Sequence, residues 1–415
     1  VDLDRFKRIN DTLGHTVGDN LIRSVAARLS HCVHRRGDRI DEFELARLSG
    51  DEFLIFLRHR QARREARVLA REIATELAAP FSSDGQELVL TASVGAAVYP
   101  DHGRDGESLL KAADVAVSMA KAEGRRTFRL YSRKMNARAM QRLSLENEIR
   151  LALENDHFQL YYQPKYRASD LKIIGAEALI RWFHPTRGEI SPANFISVAE
   201  EGGQISDLTR WVVHQACRQV SQWQRSGLPV VPIAINLSPE DFLRDDPVAM
   251  VRSALSDARI SADYLSLEIT ESALMRDTDR VKNLLDQLKQ IGCALSIDDF
   301  GTGYSSLAYL RKFPLDMLKI DRSFVSDIAT NEDAAAICSA IIAMGRALGL
   351  TVVAEGVETD QQLTRLQADG CDQFQGFMLS GAVPAELFMA QLMSQSPEGD
   401  AEAPVAPNVI TLNPR

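Results

Sequence analysis

The sequence predicts an α/β protein whose C-terminal part is a (β/α)8 barrel of the TIM type. Eight short apolar segments follow one another between residues 156 and 395, and most are separated by a segment with helical periodicity. A helical stretch rich in charge and free of Pro and Gly precedes them, and residues 1–131 alternate shorter strands and helices. Eight strands within roughly 240 residues are typical of a (β/α)8 barrel.

We therefore divide the chain into four parts. Residues 1–131 are predicted to form an α/β domain, 132–155 a connecting helix and 156–395 the barrel. Residues 396–415 are rich in Pro and polar residues, which predicts a disordered tail. The predicted barrel strands are 158–163, 173–179, 231–237, 265–269, 293–298, 316–320, 351–355 and 371–375.

Composition excludes several classes of protein. The 415 residues are 45% hydrophobic and 25% charged, and no apolar run is long enough to span a membrane, so we expect no membrane contact in this fragment. A net charge of −9 argues against binding a nucleic-acid polymer. The five cysteines form no CxxC pair, which favours a reduced, cytoplasmic protein. The chain begins at Val1, within what reads as a strand, so we expect a fragment of a longer protein that is possibly membrane-anchored upstream.

Polar residues recur at the ends of the predicted barrel strands. In chain order they are Gln163, Glu177 with Arg181, Asn236, Glu268, Asp298 with Asp299, Lys319 with Asp321, Glu355 and Gln375. Each one alone would be explained by contact with water or by capping of the next helix. Because the chemistry of such barrels lies at the C-terminal ends of the strands, the whole series predicts an active site.

The oxygen-bearing members of this series suit hard cations such as Mg²⁺ or Mn²⁺. They are Glu177, Asn236, Glu268, Asp298 and Asp299. Without cations, so many converging carboxylates would repel one another. No His or Cys joins them, which argues against zinc. A pair of such cations can stabilise the attacking and leaving oxygens of an in-line phosphodiester displacement.

Lys319 is the cationic member of the series. Next to two divalent cations it should lose its proton more readily, and it would then orient or activate the water. The alternative for Lys319 is a surface salt bridge with Asp321, two residues further along the predicted strand.

Several segments carry a resemblance to a known family. The segments are YYQP, EALIRW, INLSP, LEITES, DDFGTGYSSL, LKIDRSFV, AEGVET and FQGFMLS. Together they resemble the successive motifs of the EAL phosphodiesterase family over residues 140–395. The resemblance implies hydrolysis of cyclic di-GMP to the linear dinucleotide pGpG.

The resemblance also implies residue roles. The five oxygen donors above would be metal ligands, with Glu355 supporting the metal site. Lys319, Glu355 and Asp299 would be catalytic. The substrate would be contacted by Gln163, Leu179, Arg181, Asp321, Glu358 and Gln375. Glu271 would stabilise the DDFGTGYSS loop, in which Gly301 and Gly303 allow the turn.

The N-terminal region carries a second group of acidic residues. The segment ELARLSGDEFLIFL reads as a β-hairpin that displays Asp51 and Glu52, and Asp2 lies at the end of the first strand. Acidic strand ends of this kind can share Mg²⁺ over a nucleoside triphosphate. Lys121 and Arg125 are four residues apart and would meet phosphates from one helix face. The alternative is a helix-surface pair and a solvated turn.

Residues 1–131 resemble the GGDEF diguanylate cyclase family. By that resemblance Asp2 and Asp51 would bind metal, and Mg²⁺ would accompany GTP. The GTP contacts would come from Asn10, Asp19, Gly50, Glu52, Lys121 and Arg125. Ser49 replaces the first glycine of the signature and adds a Cβ, so the resemblance leaves cyclisation open. The first strand and helix of that domain are missing, and the RxxD-like segment 35–38 lies unusually far from Ser49.

Three functions follow from these observations. The first is a cyclic-di-GMP phosphodiesterase whose GGDEF domain binds GTP and regulates it. The second is a bifunctional enzyme that also makes cyclic di-GMP from GTP. The third is a non-catalytic cyclic-di-GMP receptor, against which the complete ligand set speaks. We expect a homodimer, and we expect the helix at 132–155 to transmit the state of the GTP site.

Overall fold

The computed structural model describes residues 1–35, 42–83, 86–275, 278–302 and 310–395. These fall into two compact units, Val1–Ser144 and Leu145–Arg415. The predicted tail and Gly303 lie outside the described residues, as does most of the segment 35–38. Within the described residues, no helix combines the length and the apolar character needed to cross a membrane.

The first unit is a five-stranded sheet packed with helices. Its strands are β1 (Asp2–Leu3), β2 (Glu42–Ser49), β3 (Glu52–Arg58), β6 (Ala92–Ala96) and β7 (Phe128–Leu130), beside a separate pair, β4 (Phe81–Ser83) and β5 (Gln86–Leu88). Its helices are α1 (Phe6–Leu13), α2 (His15–His34), α3 (Ala62–Leu77) and α4 (Gly106–Ala122). The sheet order is β2-β3-β1-β6-β7.

This order places the short strand β1 in the middle of the sheet. β1 pairs antiparallel with β3 and with β6, so that Asp2 lies opposite both Glu52 and Ser93. The predicted hairpin is confirmed as β2 and β3, which pair antiparallel. Apolar side chains of α2 and α3, such as Val25 and Leu77, form the core of the unit with the sheet. The acidic start of β1 is thereby brought next to the hairpin turn, where β3 begins at Glu52.

Helix α5 spans Arg133–Glu154, close to the helix predicted at 132–155. Its C-terminal part is integral to the second unit, because Ile149 and Ala152 are fully buried in a core with Phe158 and Trp182. The sequence predicted a connector separate from the barrel. Its apolar residues instead make its last three turns part of the barrel unit.

The second unit is built from eight barrel strands and their helices. The strands are β8 (Phe158–Arg167), β9 (Ile173–His184), β11 (Ile233–Leu237), β12 (Leu265–Thr270), β13 (Ala294–Phe300), β14 (Met317–Ile320), β15 (Thr351–Ala354) and β16 (Gln373–Phe374), with short additions β10 (Gly188–Ile190) and β17 (Val383–Pro384). The helices are α6 (Pro192–Glu201), α7 (Ile205–Arg225), α8 (Pro239–Arg244), α9 (Pro247–Ala258), α10 (Glu271–Leu274), α11 (Thr278–Ile291), α12 (Arg322–Ser326), α13 (Glu332–Ala347), α14 (Asp360–Asp369) and α15 (Ala385–Ser394).

The strands close into a barrel in the order β9-β11-β12-β13-β14-β15-β16-β8, with β8 returning to pair with β9. From β9 to β16 all neighbours are parallel. Apolar residues such as Ile235, Leu267 and Ile297 are fully buried in the core. The predicted barrel and its eight strands are confirmed.

One strand departs from the all-parallel arrangement of a (β/α)8 barrel. β8 runs antiparallel to its barrel neighbours β9 and β16, and also to the short strand β17. It also continues to Arg167, so Gln163 lies in the middle of the strand and does not close it, contrary to the sequence-based expectation. Because β8 is reversed, its residues descend from the mouth of the barrel toward its floor.

Candidate active site

A buried lysine lies at the centre of the carboxylates that end the barrel strands. Nζ of Lys319 lies 2.5 Å from Oε2 of Glu268 and 2.5 Å from Oε1 of Glu355. The same atom lies 3.1 Å from Oδ1 of Asp298 and 3.6 Å from Oε2 of Glu177. Lys319 is only 1% exposed. The surface salt bridge with Asp321 is therefore the wrong alternative.

Glu177 is held by two amide side chains, one on β11 and one just after β16. Nδ2 of Asn236 donates to Oε1 of Glu177 at 2.6 Å, and Nε2 of Gln375 donates to Oε2 at 2.7 Å. The Gln375 amide also reaches Oε1 of Gln163 at 3.1 Å. These four predicted site residues thus form one connected network at the mouth.

The end of β13 brings two further carboxylates together. One carboxylate oxygen each from Asp298, Asp299 and Glu355 lie within 4.8 Å of one another. The ladder between β13 and β14 is irregular here, and Asp299 has a φ of +53°. Strain of this kind is costly for a residue with a side chain and often accompanies function.

The donor set fits a divalent cation. Besides the clustered oxygens, Oε1 of Gln375 is buried and accepts no hydrogen bond among the described residues. A buried acceptor without a donor is costly, and a cation at this position would satisfy it. Glu177, Asn236, Glu268, Asp298, Asp299 and Glu355 are the residues that would hold it.

Burial and crowding shift the pKa values of these groups in opposite directions. Burial would raise the pKa of Glu177, but the ammonium groups of Lys319 and Lys165 outweigh it and lower that pKa to about 2. Burial raises the pKa of Glu355 to about 8. Burial also opposes the charge of Lys319, yet the surrounding carboxylates raise its pKa well above the ordinary value. In the metal-free protein this lysine is therefore a fixed cation.

Burial, together with the neighbouring carboxylates Asp298 and Asp321, raises the pKa of Asp299 to about 6. Asp321 caps α12 and accepts hydrogen bonds from the amide and hydroxyl of Ser323. These hydrogen bonds outweigh burial and lower the pKa of Asp321. The two aspartates thus share a polar edge of the site with unequal affinities for a proton.

Other predicted substrate residues lie around the central group. Leu179 and Arg181 follow Glu177 at two-residue spacing on β9 and so share its face of the strand. The Arg181 guanidinium lies 5.6 Å from the centroid of the Tyr161 ring. Oε1 of Glu358 accepts a 2.7 Å hydrogen bond from Arg322.

Glu271 contacts the loop that follows β13. Its Oε2 accepts a 3.0 Å hydrogen bond from the amide of Gly301, and the carboxylate is 2% exposed. Gly301 has a φ of +99°, and a Cβ there would lie 2.9 Å from the Phe324 ring. Glycine is therefore required at this turn.

One residue of the central group was missed by the sequence analysis. Lys165 on β8 is 5% exposed, and its Nζ lies 2.5 Å from Oε1 of Glu268. Its only sequence signal is its position two residues after Gln163, which places both side chains on one face of the strand. A single lysine otherwise reads as a surface residue.

In the first unit, the predicted metal residue Asp2 contacts the predicted phosphate residue Lys121. Nζ of Lys121 lies 2.5 Å from Oδ2 of Asp2. The carbonyl oxygen of Asp51 accepts a 3.2 Å hydrogen bond from Leu3, and Glu52 lies opposite Asp2. Gly50, in the hairpin turn, has a φ of +46°.

The prediction that Lys121 and Arg125 share a helix face is wrong. Helix α4 ends at Ala122, and Gly124 and Arg125 follow with φ values of +104° and +61°. Left-handed residues after a helix end its periodicity. Arg125 instead lines a cavity with Arg5.

Asn10 and Asp19 lie on consecutive helices, α1 and α2. Oδ1 of Asn10 is buried without a hydrogen-bond partner in the described residues, and a Cβ at Gly18 would lie 1.8 Å from it. Asp19, the next residue, is exposed. The absence of a side chain at Gly18 therefore makes room for Asn10.

Comparison with known families agrees with these two units. The model of the EAL domain matches residues 146–382. The chain belongs to the EAL domain family. The model of the diguanylate cyclase GGDEF domain matches residues 1–127, so a GGDEF domain precedes the EAL domain.

Curated relatives match nearly all of this chain. Cyclic di-GMP phosphodiesterase NbdA of Pseudomonas aeruginosa is 44% identical over 92% of the chain and 48% of its own length. Bifunctional diguanylate cyclase/cyclic di-GMP phosphodiesterase MucR of the same organism is 42% identical over 94% of the chain and 56% of its own length. The chain thus spans about half the length of these relatives.

Solved structures resemble the EAL domain. The PaMucR phosphodiesterase in complex with c-di-GMP is 46% identical, with a TM-score of 0.57, and covers 59% of this chain and 99% of its own. The EAL enzyme Bd1971, in its form with cAMP and cyclic di-GMP bound, is 32% identical, with a TM-score of 0.57, over 61% of this chain and 69% of its own.

Proposed function

We propose that this chain is a metal-dependent phosphodiesterase that hydrolyses cyclic di-GMP to linear pGpG. One observation carries the proposal: the carboxylates of Glu177, Glu268, Asp298 and Glu355 all lie within 3.6 Å of Nζ of Lys319. The resemblance of the EAL domain to the PaMucR phosphodiesterase, whose structure is a complex with c-di-GMP, supports cyclic di-GMP as the substrate.

The reaction adds one water across a phosphodiester bond. The water oxygen forms a bond to phosphorus, the P–O3′ bond breaks, and the 3′ oxygen takes up a proton. Bound Mg²⁺ or Mn²⁺ would supply Lewis acidity, acidifying the water and stabilising charge on the phosphate. Glu177, Asn236, Glu268, Asp298 and Asp299 would hold these cations, with Glu355 supporting them.

The remaining roles fall to side chains around the central group. Bound cations would neutralise the carboxylates that surround Lys319. Nζ of Lys319 would then be free to donate a hydrogen bond to the water and so orient it. Gln163 and Gln375 lie beside Glu177 and would contact the substrate, with Leu179, Arg181, Asp321 and Glu358 around them. Arg181 would donate to a phosphate, since guanidinium groups bind phosphate oxygens in a bidentate manner.

Hydrolysis of cyclic di-GMP by the purified chain tests this proposal. With Mg²⁺ or Mn²⁺ the expected product is pGpG, and excess chelator should abolish turnover. Glu177→Ala should also abolish it, whereas Glu332→Gln, at an exposed carboxylate in the first turn of α13, should not. Undiminished turnover in chelator would refute metal dependence. Binding without hydrolysis would favour the non-catalytic receptor.

We also propose that the GGDEF domain binds GTP with Mg²⁺ and regulates the EAL domain. Asp2 lies opposite Glu52, beside the hairpin turn that carries Asp51. The Lys121–Asp2 ion pair supports this site, because it places a cationic and an anionic side chain side by side. Asp2 would bind the Mg²⁺ and Lys121 the phosphates of the bound GTP. Asn10 and Asp19 would contact the guanine, and Gly50 and Arg125 the phosphates.

A bifunctional enzyme is the second candidate. The backbone conformation at Ser49 is compatible with diguanylate cyclase activity. Ser49 lies in β2, and its φ is not positive. The left-handed residue of this turn is Gly50, which follows it. Its hydroxyl donates to Glu52 at 3.3 Å. The Ser49 backbone therefore does not require glycine, and incubation with GTP and Mg²⁺ should reveal whether cyclic di-GMP forms.

Two further properties belong to the proposal. We propose a cytoplasmic protein, supported by five cysteines that are all free and buried. We propose a homodimer on the strength of the resemblance to both domain families. Light scattering on the purified chain should give twice the monomer mass of 46.0 kDa.

A further inference from the structure

Lys165 forms a buried ion pair that none of the roles above uses. Its Nζ lies 2.5 Å from Oε1 of Glu268, while Nζ of Lys319 lies 2.5 Å from Oε2 of the same carboxylate. The side chain of Glu268 is fully buried and that of Lys165 is 6% exposed. Each oxygen of one carboxylate is thus occupied by a different lysine.

The two lysines approach Glu268 from different directions. Lys319 lies among the carboxylates of Asp298 and Glu355, which end strands at the mouth of the barrel. Lys165 lies on β8, which is reversed. Gln163 is opposite Glu177, whereas Lys165 is opposite Gly175, one pair deeper on the same face. Lys165 therefore contacts Glu268 from the floor of the barrel.

Lys165 lies opposite a glycine, which adds no side chain of its own beside the ion pair. Gly175 lies opposite it, and a Cβ at Gly175 would lie 4.0 Å from Cβ of Lys165 and 3.2 Å from the carbonyl oxygen of Pro232. Glu268 is the only acidic partner found for Lys165 in the described part of the chain. A buried cation with one acidic partner fixes the position of that partner, because separating the two would leave a buried charge uncompensated.

We propose that Lys165 is a positioning residue that occupies Oε1 of Glu268, so that a divalent cation at the mouth would bind only Oε2, in place of Lys319. The proposal rests on the proposed function, in which Glu268 is a metal ligand. Lys165 acts through Glu268 and lies below the carboxylates. It therefore orients a ligand of the metal without contacting the substrate, as residues behind metal ligands commonly do.

Direct Mn²⁺ binding separates orientation from charge. If Lys165 only added positive charge, Lys165→Met would bind Mn²⁺ more tightly, since a repelling cation is removed. If Lys165 positions Glu268, Lys165→Met should bind Mn²⁺ about 10- to 100-fold more weakly. Lys165→Gln, which keeps one donor without charge, should lie between wild type and Lys165→Met. Titration calorimetry on the purified chain measures all three.

Turnover gives a second readout. At saturating Mn²⁺, Lys165→Met should lower kcat and leave the KM for cyclic di-GMP nearly unchanged. The matched control is Lys289→Met, which removes a partly buried ion pair to Asp316 elsewhere in the barrel unit. That control should keep the wild-type affinity for Mn²⁺. Unchanged or tighter Mn²⁺ binding in Lys165→Met would overturn the proposal.

A crystal structure of the wild-type chain with Mn²⁺ decides the matter even if the variants fail to fold. Lys165 should remain within hydrogen-bond distance of Oε1 of Glu268, with Mn²⁺ on Oε2 only. Coordination of Mn²⁺ by both oxygens of Glu268 would refute the role of Lys165. Failure of the wild type to bind Mn²⁺ at all would instead refute the proposed metal dependence.

Discussion

The amide of Gly301 donates a 3.0 Å hydrogen bond to Oε2 of Glu271, which lies thirty residues earlier in the chain and begins α10. This contact ties the residue after β13 to the end of β12. Asp298 and Asp299, two of the proposed metal ligands, directly precede the tethered loop. The position of both aspartates therefore depends on a residue outside the proposed ligand set.

We predict that Glu271→Ala lowers kcat by about one to two orders of magnitude, as loss of a residue behind metal ligands commonly does. Glu271→Gln retains an acceptor for the Gly301 amide and should lose less. Steady-state kinetics at several Mn²⁺ concentrations measures both. If Glu271→Ala and Glu271→Gln lost the same activity, the hydrogen bond to Gly301 would not explain the effect.

Removal of Lys319 should affect rate and metal-free stability together. Lys319→Ala leaves four carboxylates without their shared cation, so in chelator the free energy of unfolding should fall by about 3–5 kcal/mol. Added Mn²⁺ should recover part of this loss. The rate should fall much more than the affinity for cyclic di-GMP, because activation of water matters mainly in the transition state.

Denaturant unfolding in chelator and with Mn²⁺ measures the stability of Lys319→Ala, and single-turnover kinetics measures its rate. Lys289→Ala, at the Asp316 pair, is the control for losing an ion pair of the barrel unit. An unchanged rate in Lys319→Ala would withdraw the proposed role of this lysine in catalysis.

The metal-free protein should become less stable as the pH rises. Burial raises the pKa of Asp299 to about 6 and that of Glu355 to about 8, above their ordinary values. A carboxyl that holds its proton more tightly in the folded state stabilises the fold below its ordinary pKa. That contribution is lost as the pH rises through about 6 for Asp299 and about 8 for Glu355.

Thermal unfolding in chelator at pH 5, 7 and 9 tests this dependence. The Tm should fall across the series, and Mg²⁺ should reverse the loss at pH 9 by binding the ionised carboxylates. Asp299→Asn should flatten the part of the curve between pH 5 and 7. A Tm that rises with pH in chelator would contradict the assignment.

Ca²⁺ should inhibit hydrolysis. It is larger than Mg²⁺ and takes more ligands at longer distances, so it would occupy the carboxylates in a geometry unsuited to the displacement. Competition between Ca²⁺ and Mn²⁺ in the hydrolysis assay measures this, with Ca²⁺ alone giving no product. Turnover supported by Ca²⁺ alone at the Mn²⁺ rate would show that spacing of the metal site is unimportant.

GTP should change the rate of the EAL domain, and we expect it to raise that rate. Asp51→Ala removes a proposed Mg²⁺ ligand and should abolish the effect of GTP without changing basal hydrolysis. Glu44→Ala, at an exposed carboxylate of the same hairpin, is the control. Equal rates with and without GTP in wild type and Asp51→Ala would show that GTP does not regulate this domain.

The sequence was sufficient to predict the barrel and the convergence of Glu177, Asn236, Glu268 and Asp298. Each of these lies on a strand made recognisable by its apolar neighbours, and parallel strands bring equivalent positions to one edge. The direction of β8 could not be predicted in this way. Alternation of side chains is the same for a strand run in either direction, so the pattern of residues 158–163 does not reveal its reversal.

Two side-chain assignments failed for local reasons. Lys165 carries no sequence sign that its charge is buried, since its acidic partner among the described residues, Glu268, lies 103 residues later. Lys121 and Arg125 have helical spacing, but the helix ends at Ala122, before Gly124. A glycine at that place is a helix-stop signal. The prediction relied on the four-residue spacing and did not take this signal into account.

The reversed strand has a consequence for how the chain folds. β8 is the first barrel strand made, yet one of its two barrel neighbours is β16, and the Gln163–Gln375 contact joins residues 212 positions apart. Pairings this distant in the chain form slowly, because the entropy lost in closing a long loop comes before the contact can offset it. During synthesis on the ribosome, β8 therefore has one free edge until nearly the whole domain has emerged. A ribosome stalled before Gln373 would carry an open sheet, without Gln375 beside Glu177, and this intermediate is the one most exposed to association with other nascent chains.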